Sequence, residues 1–226
     1  MIEFSTLFRE LVDEISSEIN ITLKSGTLYQ TCNTKWARKG KYVMGASAVG
    51  EVLNVKIVDV MPNEWIRLEN GLIISERFFL NTPFDITGTK IATNLEWSKA
   101  GNLASNKLPL VWLLDTFEEK EEGLESALER TVDCKIFFLD ETDIKNFYTA
   151  DHKREVIQPM IQLKDEFLKV IKKHREYKTI ENAQIKYFSR FGTESAQGFE
   201  KNILDANLSG LLLSVTLQRF KGNCKC

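Results

Sequence analysis

Residues 108–115 read LPLVWLLD and residues 132–139 read VDCKIFFL. Both are short apolar runs of the length expected for strands buried in the core of a sheet. About 16 residues separate them, and that connection is rich in glutamate. This arrangement predicts two core strands joined by one long acidic loop, and such loops on a rigid scaffold often carry contacts to partners.

The composition is that of an ordinary globular protein. The chain has 226 residues, of which 43% are apolar and 27% are charged, and this suits a single domain over residues 1–226. Thirty basic against 32 acidic residues leave a net charge of −2, which gives no general attraction to a phosphate backbone. The four cysteines are few and unevenly spaced, and no apolar run approaches the ~20 residues needed to cross a bilayer. We therefore expect reduced thiols in a cytosol-like compartment and no membrane contact.

Two amphipathic helices are predicted to flank the sheet. Residues 3–19 place apolar side chains on one face at helical spacing, and a second helix is predicted from about Asp151 to Glu176. Asp151 is the expected N-cap, and Pro159 should kink the axis because it removes one backbone hydrogen bond. With further strands at 184–191 and 208–220, the sequence predicts an α+β fold with a mixed, mainly antiparallel sheet.

Residues 51–80 predict a β-ribbon. Val52 to Val60 and Trp65 to Leu68 read as strands, and Asn70-Gly71 lies between Leu68 and the apolar residues 72–74. Asn-Gly is the strongest short hairpin signal because both positions accept positive φ. We expect a β-hairpin at 51–80 that protrudes from the main sheet as an arm.

Two patterns raise alternatives involving nucleic acid. Basic residues at 35, 38, 39 and 41 surround Trp36 and Tyr42, which is typical of a solvated loop and also of single-stranded nucleic-acid binding. Asp115, Asp133 and Lys135 could form a metal-dependent nuclease site. Nuclease strands of that kind have their apolar residues before the Asp-x-Lys, whereas here they follow it. We expect no catalytic residue, no metal site and no cofactor.

The acidic loop and the end of the second helix have complementary charge. We predict that they meet in a head-to-tail contact between copies, a contact that forms rings when the rotation closes. The residues predicted for this interface are Glu118, Glu119, Glu121, Glu122, Lys169, Lys172, Lys173 and Arg175.

Several segments resemble neck and tail-completion proteins of tailed phages that infect Bacteroides-type bacteria, including crAss-like phages. The resemblance covers roughly residues 75–220 and is carried by NTPFDITG (81–88), ATNLE (92–96), KLPLVWLL (107–114), CKIFFL (134–139) and VIQPM (156–160).

This resemblance implies a non-enzymatic virion protein in the head-tail connector or tail-completion region. Such a subunit would assemble in the host bacterial cytoplasm into a ring around the channel for double-stranded DNA. Its partners would be copies of itself and adjacent neck, portal or tail proteins. The DNA would pass without specific binding, and the near-neutral charge suits that passage because a strongly basic wall would retain DNA.

Overall fold

The computed structural model describes residues 4–46, 50–71, 76–89, 92–93, 96–97, 107–114, 118–122, 129–143, 145, 149–174, 177–179, 183–191, 193–196, 199–202, 204 and 206–219. Over these residues the fold is α+β, with mainly antiparallel sheets and two main helices. The predicted fold class is therefore confirmed at this level.

The first helix, α1, spans Phe4–Asp13 and is shorter than the 3–19 predicted. Its apolar face is buried, from Phe4 to Val12. Ile15 and Ile19 continue the apolar pattern and are buried too, but Ile15 follows the helix and Ile19 lies in the first strand. Residues after the helix can be buried in the same core as its apolar face. The spacing of apolar residues alone therefore did not show where the helix ends.

Seven strands form a sheet that closes almost into a barrel. They are β1 (Glu18–Asn20), β2 (Thr22–Ser25), β3 (Leu28–Gln30), β4 (Tyr42–Ala46), β5 (Val52–Met61), β6 (Trp65–Leu68) and β7 (Arg77–Leu80). Their order is β1-β7-β4-β5-β6-β3-β2. The first and last strands in that order are successive parts of the chain joined by Ile21, whose N–H bonds Glu76 O at 2.9 Å. The interior is filled by Tyr29 and Phe78, whose ring centroids are 4.8 Å apart.

The predicted ribbon at 51–80 is part of this barrel where the structure describes it. β5 pairs with β4 through its first half and with β6 through its second half, so β5 and β6 do not form a separate arm. A turn at Asn70-Gly71 stays a prediction, whereas the turn between β5 and β6 lies at Pro62-Asn63-Glu64, with Asn63 at φ +59°. Asn63 supplies the left-handed residue that this turn needs. The strand predicted at 72–74 lies outside the described residues.

The second sheet contains the two quoted segments. Its strands are β8 (Phe84–Gly88), β9 (Leu110–Leu114), β10 (Glu118–Glu122), β11 (Glu129–Glu141), β12 (Tyr177–Thr179), β13 (Gln184–Phe191) and β16 (Leu208–Arg219). β11 and β16 form the antiparallel centre. β9 and β10 pair with successive parts of the outer edge of β11, and β13 and β12 do the same along β16. β8 pairs with β9 in parallel, and β14 (Thr193–Ala196) and β15 (Phe199–Asn202) make a separate hairpin.

The second helix, α2, consists of Ala150–His152, a π-helical turn at Lys153–Ile157 and Gln158–Lys173. Its N-cap is Thr149, whose side chain accepts from the N–H of His152, so the prediction of Asp151 is wrong. The π turn ends where Gln158 N–H bonds Lys153 O, directly before Pro159. A proline has no N–H to donate, and this wider turn accommodates the loss. The described helix ends at Lys173, whereas the sequence predicted Glu176.

One buried cluster joins α1, α2, the barrel and one face of the second sheet. Phe167 of α2 lies at its centre, with ring centroids 5.8 Å from Phe8 and 5.7 Å from Phe138. The opposite face of the second sheet has its own cluster, in which Trp112 stacks on Phe137 at 4.9 Å. A strand buried on both faces reads as a continuous apolar run, which explains the segments 108–115 and 132–139.

Candidate subunit interface

The basic and aromatic cluster at 35–42 is mostly internal. Trp36 is 3% exposed and its indole N–H donates to Asn81 O at 3.2 Å. Lys35 is buried as well, and its Nζ donates to Ser16 O at 2.5 Å. Burial lowers the pKa of Lys35 below its ordinary value. A buried tryptophan cannot stack on bases, so the prediction of a solvated loop is wrong for these two residues and the nucleic-acid alternative loses its main aromatic.

Two further cations of this cluster are neutralised by one buried carboxylate. Asp140, at the end of β11, is 1% exposed. Its Oδ2 lies 2.8 Å from Arg38 Nε and its Oδ1 lies 3.5 Å from Lys41 Nζ. Arg38 also donates to Glu141 O at 2.6 Å. Burial lowers the pKa of Lys41, and the negative charge of Asp140 partly opposes that shift. These cations tie the barrel to the second sheet.

The described residues of the predicted nuclease site, Asp133 and Lys135, do not form a site together. Asp115 lies outside the described residues. Asp133 and Lys135 are exposed on β11, and Asp133 accepts from the Thr216 hydroxyl and lies 3.7 Å from Lys120 Nζ. In the described part of the chain, no group of His, Cys, Asp and Glu could hold a metal ion.

The predicted interface residues fall on two elements that the second sheet separates. Glu118, Glu119, Glu121 and Glu122 all belong to β10, which lies at one edge of a four-stranded ribbon ordered β10-β11-β16-β12. At the opposite edge, β12 follows the C-terminal end of α2, where the predicted lysines lie. The ribbon therefore has an acidic strand along one edge, while the basic end of α2 leads to the other.

The predicted cations on α2 are not equivalent. Lys169 is engaged within its own helix, because its Nζ lies 2.6 Å from Glu166 Oε1. Lys172 and Lys173 are exposed in the last turn, where cations also favour the negative end of the helix dipole. Arg175 lies outside the described residues. Of the predicted α2 cations in the described residues, Lys172 and Lys173 are thus the ones best placed to meet another molecule.

The structure adds one candidate contact surface that the sequence did not indicate, the edge strand β13. Among the described strands it pairs only with β16. Ile185 is 39% exposed and Tyr187 is 54% exposed, although the residues opposite them, Leu213 and Leu211, are fully buried. The sequence predicted a strand at 184–191 but gave no sign that its side chains would remain uncovered.

A surface depression of about 720 Å³ is lined by residues of β1, β2 and β3 and of the turn between β5 and β6. Its charged lining residues are Lys24 and Glu64, and Cys32 and Trp65 also line it. This lining brings no recognisable catalytic group together.

No helix in the described part of the chain is both long and apolar enough to cross a lipid bilayer. Comparison of the chain with family models, curated proteins and solved structures finds no match.

Proposed function

We propose that the protein is a virion subunit of a tailed phage that forms a ring in the head-tail connector or tail-completion region, around the DNA channel. The observation that carries the proposal is the separation of charge across one ribbon. Acidic β10 forms one edge, and the basic end of α2 leads into the other. Two different, complementary patches on one subunit favour head-to-tail contacts, and these form rings when the rotation between copies closes.

The resemblance to phage neck proteins supports the same proposal. Its segments at 107–114, 134–139 and 156–160 overlap β9, β11 and α2, which make up much of the second sheet and its covering helix. The proposal gives the protein a structural role in the virion, with assembly in the host cytoplasm. Its neighbours are copies of itself and adjacent neck, portal or tail proteins, and no catalytic step is assigned.

The test is self-association measured by native mass spectrometry and light scattering at low and high salt. We expect K172E/K173E to weaken the oligomer at low salt, because it places negative charge opposite the acidic strand. The double variant K24E/K56E is the matched control, since both lysines are exposed on the barrel. The wild-type oligomer should also weaken as salt shortens the range of the attraction.

A monomer at every concentration, or an oligomer that K172E/K173E leaves unchanged, would contradict the proposed contact. Labelling of purified particles followed by electron microscopy tests the location directly. Density for the label on the capsid surface or tail fibres, and not at the neck or tail end, would contradict the proposed position.

A further inference from the structure

We propose that copies of the chain join by β-strand addition, with β10 of one copy pairing antiparallel to β13 of the next. This inference rests on the proposed ring and specifies its contact, because β13 lies along the same edge of β16 as β12, the strand that follows the basic end of α2. Among the described strands, β10 pairs only with β11 and β13 only with β16. An unpaired strand edge presents a row of N–H and C=O groups that can pair with another chain.

The strand directions suit this addition. β10 is antiparallel to β11, β11 to β16, and β16 to β13. Across these four strands the two outer ones therefore run in opposite directions. If the next copy has the same orientation, its β13 runs antiparallel to β10. The antiparallel order of the strands then continues from one copy to the next.

The position of β8 sets the offset between copies. β8 lies beside β9, so a neighbouring β13 cannot lie at the level of that segment and must lie beside β10. Within one copy Lys120 is level with Thr131, whereas Lys186 is level with Phe137, six residues further along β11. Centring β13 on β10 therefore shifts the next copy along the strands.

That shift matches the geometry of a closed sheet. Six residues correspond to about 20 Å along a strand, and four strand spacings correspond to about 19 Å across the sheet. Together they give a strand tilt of about 45° to the ring axis, which is close to the tilt of closed sheets. The offset is thus compatible with a ring.

Charge and exposed apolar surface also select these two strands. β10 has the sequence EEKEE, whereas β13 contains Lys186 and Arg190 and no acidic residue. Ile185 and Tyr187 extend the buried face of β16 beyond its edge, and an added strand would cover their open side. The occupant of this edge is therefore an acidic strand, and β10 of a second copy supplies one.

A charge-swap experiment tests the pairing. Variant A is E118K/E122K in β10, and variant B is Q184E/K186E in β13; by register these positions share one face of the sheet. Each alone should raise the concentration needed for half-assembly at least about tenfold at low salt, because like charges then face each other. An equimolar mixture should recover assembly, since each reversed edge then finds an edge of opposite charge on the other variant.

An apolar variant provides a second readout. Ile185→Asp should prevent assembly, whereas Val58→Asp, at a barrel residue with a similar exposure of 41%, should not. Circular dichroism of the monomers should show that both variants fold.

Cysteine cross-linking tests the strand pairing itself. Lys186→Cys is combined in turn with a cysteine at each position from 118 to 122, in a chain whose Cys32, Cys224 and Cys226 are serine. At least one combination should give a ladder of disulfide-linked multimers on a denaturing gel. Rings that form without any ladder, or that withstand variants A and B, overturn β-strand addition and leave the ring proposal standing. A monomeric wild type overturns both.

Discussion

The buried carboxylate of Asp140 gives a sharp test of what joins the two sheets. Asp140→Asn removes its charge and keeps an oxygen that can accept from Glu141 N–H, a bond of 2.8 Å in the structure. Arg38 and Lys41, with side chains only 13% and 20% exposed, then lose their counter-ion. Removing one partner of a buried ion pair costs about 3–5 kcal/mol. For a chain of this length each kcal/mol lowers the Tm by roughly 2–4 °C, so we expect a fall of about 6–20 °C.

Urea denaturation followed by tryptophan fluorescence and circular dichroism measures this cost. Lys39→Met is the control from the same loop, because Lys39 is exposed. The triple variant R38M/K41M/D140L should be much closer to the wild type than Asp140→Asn, since it removes both signs of charge together. A free energy of unfolding for Asp140→Asn within about 1 kcal/mol of the wild type would refute the reasoning.

Burial lowers the pKa of His152 below its ordinary 6.5, so the folded state binds fewer protons than the unfolded state between the two values. The free energy of unfolding should therefore fall as the pH drops from 6.5 through the lowered pKa. His152→Gln should make the free energy of unfolding, measured with urea, less dependent on pH in this range. An unchanged pH dependence would contradict the role of His152. Burial raises the pKa of Cys134 to about 12, whereas Cys32 is exposed. Iodoacetamide at pH 8 should modify Cys32 and spare Cys134 in the native protein, as read by peptide mass spectrometry; equal modification would argue against the burial. A methyl group on Gly210 would overlap the carbonyl oxygen of Phe138. Gly210→Ala should destabilise the protein by at least about 2 kcal/mol in urea, and a change below about 0.5 kcal/mol would contradict the close approach.

Apolar runs predicted β9 and the second half of β11 well because these central segments are buried on both faces. The segments 108–115 and 132–139 contain β9 and most of β11, and the strands at 184–191 and 208–220 were also confirmed. The barrel was harder to predict because its strands are short and its turns are ambiguous. Asn70-Gly71 has the stronger local turn signal, yet the β5–β6 hairpin turns at 62–64.

The role of the basic cluster depends on a residue far away in the sequence. Arg38 and Lys41 look like solvent-exposed cations until Asp140, about 100 positions later, is placed between them. Local sequence patterns do not show that residues so far apart in the chain lie close together in the fold. The same limit applies to β13, whose pattern predicts a strand but does not reveal that it lies at an edge.

The strands at the two ends of the barrel's strand order, β1 and β2, are joined directly by Ile21. Among the described barrel strands, only β1 and β2 lack a second strand neighbour. The outside of the barrel also presents apolar side chains such as Phe79 and Val52, which are 40% and 75% exposed. If copies join through the second sheet as proposed, these barrel side chains stay available to a neighbouring protein above or below the ring.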